Sequence, residues 1–331
     1  MDNHKSDTRV HKENWVHKEN WMHKERYRYI YCIVIFVSMF LLAFPVSGIS
    51  DTGFKTAVVV SRKIRPYIHV VDGITENMPK DLSQLDVFFL SHQNNQNNQN
   101  QKVNPINSQV ITQIKENHYD LVTAIGPEAL ALVCDTKLSS KKFYTAVLDP
   151  HALPQVGPNV CGISLRIPVQ VQLEKITRTF QNIRKIGLIF DPRHNQRFYD
   201  QAVMNSKDQP VDIIPLQVTS RNQIGSVLKE NKEEIDAIWM IPDQTVISEK
   251  IIRYVIKHGI YNNIGVIGYN SFFTRSGAFF SFEFDYKALG IQAGEKMAAY
   301  LTTGECTRET PVFDTIINQK MADKIGIQVK K

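Results

Sequence analysis

The sequence is short of the signatures from which enzyme chemistry is usually read. No Gly-x-Gly-x-x-Gly and no Gly-x-x-x-x-Gly-Lys-Ser/Thr loop occurs, so the backbone cradles that hold dinucleotides or nucleotide phosphates are missing. Neither a Gly-x-Ser-x-Gly elbow nor a His-Glu-x-x-His pair is present. Past the first 29 residues, His69, His92, His118, His151, His194 and His258 stand alone, without metal-ligand spacing. An enzyme is therefore not expected, and no cofactor or metal is expected either. A basic run long enough to track phosphates is also lacking. The formal charge is +6, but residues 1–29 supply a surplus of two, and the remaining +4 is spread thinly. Nucleic acid is not expected as a partner. Cysteine is scarce, at four residues. Cys32 lies inside an apolar run, leaving Cys134, Cys161 and Cys306, which allow at most one disulfide within the chain and do not identify the pair.

What is present begins with that apolar run. Ile30–Val46 carries no charge, follows Lys24, Arg26 and Arg28, and ends at Pro45-Val46-Ser47-Gly48. A basic stretch, a short apolar core and small residues beyond it make a secretory signal peptide. As an uncleaved anchor the run lies at the short end of the roughly 17–25 residues that span a bilayer. Upstream, His-Lys-Glu-Asn-Trp is repeated at 11–15 and 17–21, and Met22 would itself open a signal peptide of ordinary length. Residues 1–48 are accordingly set aside as extension and signal peptide, and a periplasmic location is expected. The nine Asn/Gln residues from Gln93 to Gln101 read as a solvated loop insertion.

From Lys55 onward, apolar runs alternate with helical patterns. Ala57–Val60, Val87–Leu90, Leu121–Ile125, Phe143–Leu148, Ile186–Phe190, Ala237–Ile241 and Gly265–Gly268 have the composition of strands covered on both faces. Val169, Leu173, Ile176 and Phe180 share one helical face. Ser248 opens a second helix, with Gly259 as its expected terminal cap, and Asp285 opens a third that closes near Gly304. Repeated strand–loop–helix units predict an α/β fold of doubly wound, parallel sheets. A seam at Gly157–Ser164 predicts the passage from one lobe to the next. A return is expected at Phe279–Asp285, where Phe280, Phe282 and Phe284 alternate as in a half-buried strand. The expected division is 55–163 with 285–331 for one lobe and 164–284 for the other.

Several blocks, taken in order, resemble a known family. They are Val160–Ser164, Arg184–Pro192, Ile241–Ser248, Val266–Gly268 with Ser276–Ala278, Phe284–Gly294, and Asn318–Ala322 leading to Ile325–Ile327. Together they are similar to ABC-transporter substrate-binding proteins, in the subgroup that includes tryptophan and tyrosine receptors. The resemblance implies a type I periplasmic binding protein fold, two hinged Rossmann-like lobes closing over a small molecule. It also implies a membrane permease as partner, and the protein is expected to be a monomer. A binding subunit of an envelope sensory system would use the same fold. A repressor would need a DNA-binding helix pair and residence in the cytoplasm, which the export signal opposes.

In such sheets ligands sit beyond the carboxyl ends of strands. On that geometry the candidate ligand residues are Ser61 and Tyr67 after the first strand, Gly126 and Pro127 as an anion-binding helix start, and Asp149. In the second lobe they are Asp191, Asn195, Asp243, Tyr269 and Asn270. In the amino-acid receptors of the resembled family an acid near Asp243 accepts from an α-ammonium, so Asp243 is the expected principal anchor, with helix capping as its alternative role. The export signal generates the first prediction. Amino-terminal sequencing of the exported protein should begin near Ile49, and retention of Ile30–Val46 in a membrane fraction would overturn it.

Overall fold

In the computed structural model, residues 53–79, 83–91, 105–157, 160–307 and 309–330 are described. The signal segment, the hexamer repeat and the Asn/Gln tract lie outside them. The fold consists of two α/β lobes. The first sheet contains β1 (Phe54–Val60), β2 (Ser83–Phe89), β3 (Leu121–Ile125), β4 (Lys141–Val147) and β5 (Cys161–Ser164). Its order is β2-β1-β3-β4-β5, all parallel. The second holds β6 (Lys185–Phe190), β7 (Asp212–Gln217), β8 (Ala237–Met240), β9 (Gly265–Gly268), β10 (Phe280–Glu283) and β11 (Asp314–Ile317). Its order is β7-β6-β8-β9-β10-β11, parallel except for the β10–β11 pair. Through their first five strands the lobes repeat one winding order, with the switch points at β1/β3 and β6/β8.

The β-branched runs form these strands because both faces are covered. In β1, Val58 and Val60 pack on one side while Ala57 and Val59 pack on the other, all fully buried. The helices of the first lobe are α1 (Arg65–Asn77), α2 (Pro105–Asn117) and α3 (Pro127–Asp135). Those of the second are α4 (Val169–Thr179), α5 (Pro192–Ser206), α6 (Ile224–Asn231), α7 (Glu249–Tyr261) and α8 (Ser271–Arg275). After them come α9 (Tyr286–Thr303) and α10 (Gln319–Lys324). Helix α4 buries Val169, Leu173 and Ile176 as its spacing requires, and Phe180 follows as its buried cap residue.

The chain passes between the sheets three times. It leaves the first after β5 and returns after β10, when α9 packs on α1. That contact is close. A methyl group at Gly290 would lie 2.2 Å from the Val70 carbonyl oxygen, and one at Gly73 would lie 2.2 Å from the Lys287 carbonyl oxygen. The third passage takes the chain back to the second sheet, where β11 pairs with β10. The expected assignment of all of 285–331 to the first lobe is therefore corrected to α9, with β11 and α10 belonging to the second. Two further expectations change. Phe280, Ser281 and Phe282 are all buried, so the strand is covered on both faces and is not half-exposed. Gly259 does not cap its helix, which runs on to Tyr261 with Asn262 as cap. It is needed inside because a side chain there would meet the Ile264 carbonyl oxygen at 2.6 Å.

Cys161 on β5 is bonded to Cys306, just beyond α9, and Cys134 is free. The bridge fixes the start of the third passage to the edge of the first sheet. It closes a loop of 145 residues, so removing it releases chain entropy in the unfolded state. Cys161→Ser should lower unfolding free energy by about 2–5 kcal/mol in a urea titration. Wild-type protein in reductant should match it, and an unchanged midpoint in both would refute a structural role.

Candidate functional site

Each switch point is closed by the protein's own groups. In the first lobe Ser61 follows β1 and is fully buried, and its Oγ accepts from Ala129 N at 2.8 Å. Gly126 starts α3 with φ at +89° and Pro127 follows as the first helical residue. A side chain at Gly126 would fall 2.7 Å from Ser61 Oγ and 2.8 Å from the Tyr67 ring, so Tyr67 packs on the Gly126 backbone. The anion at this helix start is Glu128. Burial raises its carboxyl, but its own backbone amide and the Arg62 guanidinium outweigh that and hold it below the usual carboxylate range. Arg62 Nε donates to it at 3.0 Å. The amides assigned from sequence to a ligand anion are thus partnered by Ser61 and Glu128, because a serine and a glutamate stand where they can reach them.

The second lobe uses carboxylates for the same purpose. Asp191 is fully buried and caps α5, accepting from Arg193 N at 3.0 Å and from Thr245 Oγ1 at 2.6 Å. The Arg193 side chain, then Thr245, hold its carboxyl well below the usual range despite burial. Asp243 is 2% exposed and accepts four donors. Its Oδ2 takes Asp191 N at 2.9 Å and Asn195 Nδ2 at 2.8 Å. Its Oδ1 takes Thr245 N at 2.8 Å and Val246 N at 3.2 Å. Asp243 was expected to await donors from a ligand, and four donors from within the protein already meet its carboxylate. The carboxylate emerges after β8 as expected, but neighbouring loops have already supplied its partners.

The cleft lies beside the second lobe's switch point, toward the passages between lobes, and holds about 220 Å³ of free space. From the first lobe it is lined by Leu148, after β4, and Tyr286, at the start of α9. The first passage contributes Leu165, Arg166 and Ile167. The second lobe contributes aromatic rings (Phe198, Tyr269, Phe282, Phe284) and the amides of Gln172, Asn195 and Asn270. Asn195, Tyr269 and Asn270 were singled out from sequence and are brought together here. Ser61, Tyr67, Gly126, Pro127, Asp149, Asp191 and Asp243 are not among the lining residues. Among the described residues, no group of three or more His, Cys, Asp or Glu is placed to hold a metal ion.

A family model described as ABC transporter substrate binding protein matches residues 58–331. The chain belongs to that family. A tyrosine-binding protein of Clostridioides difficile (strain R20291) is 25% identical over 263 residues, covering 75% of this chain and 73% of that protein. Two solved structures share the fold. One is the ligand-free, open form of a substrate binding protein with adhesive properties from Clostridium difficile, at 21% identity and TM-score 0.64, covering 83% of this chain and 95% of that one. The other is a domain from Streptococcus pneumoniae in complex with L-Trp, at 20% identity and TM-score 0.53, covering 84% and 96%. The chain is a solute-binding component of an ABC importer, exported, and a binding protein rather than an enzyme. Its family implies a small-molecule ligand and a membrane permease.

In this substrate-binding protein, hydrogen bonds already made decide what each polar group still offers. Asn195 donates from Nδ2 to Asp243 and to the Pro242 carbonyl oxygen at 3.3 Å, so its Oδ1 is the group left for the cleft. Asn270 caps α8 by accepting from Phe272 N at 3.0 Å, which leaves its Nδ2 as donor. Gln172 donates to the Ile167 carbonyl oxygen at 2.8 Å and keeps Oε1 as an acceptor. Burial, then the nearby Asp243 charge, push the Tyr269 hydroxyl up to about 12, so it stays protonated. Arg166, Phe198, Phe284 and Tyr286 were not singled out from sequence as site residues. Phe284 lies in the predicted return at Phe279–Asp285 and Arg166 two residues beyond the predicted seam at Gly157–Ser164, and those positions are the signal that points to them. Asp243→Asn should lower ligand-free stability by about 1–3 kcal/mol, because an amide presents a donor to donors that cannot turn away. Urea midpoints at neutral pH check this, and an unchanged midpoint would return Asp243 to a ligand role.

Proposed function

We propose that the protein captures an amino-acid-like molecule with an aromatic or large apolar body in the interlobe cleft. It does so in the periplasm, after loss of Ile30–Val46, and delivers its cargo to a permease. The observation that carries this reading is the cleft's composition. Aromatic rings from both lobes surround a few polar groups whose remaining hydrogen-bonding capacity is fixed. Such a site favours a flat apolar body with polar groups at one end. The Clostridioides difficile relative is named for binding tyrosine, and the Streptococcus structure holds L-Trp, which supports the same class of ligand. In this reading Asn195, Tyr269 and Asn270 touch the ligand, with Phe198, Phe284 and Tyr286 around its body. Asp191 and Asp243 hold those groups in place, and Ser61, Tyr67, Gly126 and Pro127 set the first lobe's edge.

Closure on the ligand fits the apolar side chains left open in this structure. Ile64, Phe89 and Leu148 lie at the carboxyl edge of the first sheet and Ile247 at that of the second, each more than a third exposed. Titration calorimetry with the twenty amino acids and with ribose should give binding at micromolar levels or tighter for tyrosine, tryptophan or phenylalanine. Small-angle scattering with the binder should show a smaller radius of gyration. Binding of the sugar with silence from all three aromatic amino acids would overturn the reading.

A further inference from the structure

Arg166 is the one charged side chain among the described residues lining the cleft. It sits on the first passage, two residues beyond β5, and its side chain is 49% exposed. Its Nη2 donates to Asp149 Oδ2 at 2.9 Å. Asp149 lies just past β4, with its carboxylate 43% exposed, and it stands at the start of a short 3₁₀ turn without capping that turn through its side chain. The pair is thus a surface ion pair beside an apolar cavity, a weak bond in water. The buried acids of the second lobe are saturated by their own loops, whereas Asp149 is held by a contact that a competitor can replace. A guanidinium matches a carboxylate in a planar, two-point manner. The other polar groups of the cleft are neutral, with acceptors at Asn195 Oδ1 and Gln172 Oε1.

Building on the reading of an amino-acid-like ligand, we propose that Arg166 is the receptor for the ligand's carboxylate. Asp149 is the internal stand-in that the carboxylate displaces. Charge recognition in this cleft is therefore one-sided. The carboxylate meets a full positive charge, while an ammonium group meets only neutral amide oxygens. Loss of the carboxylate should cost more affinity than loss of the amine.

The test uses three probes that share one ring system: L-tyrosine, its deamino analogue 3-(4-hydroxyphenyl)propionate, and its decarboxylated analogue tyramine, each titrated calorimetrically. Tyrosine should bind best, the deamino acid next, and tyramine most weakly. Arg166→Gln should weaken both carboxylates about ten- to a hundredfold, the range for a charge-assisted hydrogen bond, and leave tyramine unchanged. Asp149→Asn removes the competitor and should tighten both carboxylates several-fold. Equal affinities in Arg166→Gln, tyramine binding above the deamino acid, or weaker carboxylate binding in Asp149→Asn would each overturn the assignment. The two readings fail differently. If wild-type protein binds tyrosine and Arg166→Gln binds it equally well, Arg166 is not the receptor and the aromatic ligand class stands. If wild-type protein binds none of tyrosine, tryptophan and phenylalanine, the ligand class itself fails and this proposal fails with it. Melting curves of both variants, expected to keep the wild-type midpoint closely because the pair is exposed, separate binding losses from unfolding.

Discussion

The carboxylate of Asp243 is the constraint on which the second lobe's working edge depends. One buried side chain receives donors from the end of β6, from the first turn of α5 and from two residues of its own loop. A buried carboxylate is tolerated only when its lone pairs are satisfied, so these segments must keep their relative positions. The consequence reaches the cleft through Asn195. Its amide nitrogen is committed to Asp243, so the orientation of the amide is set and its oxygen remains for the cleft. Asn195 itself leaves helical geometry, with φ −129° and ψ 19°. This departure places its side chain on Asp243 rather than along the helix. The carboxylate of Asp243 thus fixes the orientation of an amide that lines the cleft.

The same design appears twice, once per winding. At β1/β3 the bonding runs from Ala129 N to Ser61 Oγ, and at β6/β8 from Asp191 N to Asp243 Oδ2. In open parallel sheets the switch point is where a ligand normally enters, because helix starts leave amides unpaired there. Here both are closed from within. The open space is lined from the passages after β5 and β10, together with the loops after β8 and β9. The groups lining it therefore come from the passages, from strand ends and from the first turns of helices.

Much of the architecture was legible in the sequence because buried parallel strands need long apolar runs. Seven such runs each fall on or overlap a strand. The strands that escaped were edges. β7 contains Pro215, which a central strand would exclude but an outermost one accepts, and β11 is four residues long with all but one of them partly buried. Missing β11 also misplaced the C-terminal segment, whereas β10 read as half-buried because Phe280, Phe282 and Phe284 alternate. The disulfide was undecidable for another reason, since cysteine spacing does not show that α9 returns to the first sheet. Among site residues, positions after strand ends were readable, but hydrogen-bond saturation was not. Whether an aspartate at a strand's end is free or spent depends on loops distant in sequence, as Asp243 and Asp191 show with partners about fifty residues away.

The polar and apolar parts of the cleft bear on one balance. Ile64, Phe89, Leu148 and Ile247 favour bringing the lobes together, since covering them removes apolar surface from water. Closing an empty cleft would also strip water from Arg166, from the amide groups of Asn195, Gln172 and Asn270, and from the Tyr269 hydroxyl. A buried polar group without a partner costs about 1–3 kcal/mol, so a few of them offset the gain from a modest apolar rim. A ligand that satisfies them removes the cost and leaves the gain, and closure then follows occupancy. Such coupling requires that polar groups be held in place before the ligand arrives, because groups free to turn toward each other would satisfy themselves. The saturated carboxylates supply that restraint. Asp243 spends its own bonding capacity so that Asn195 cannot turn its amide oxygen away from the cleft.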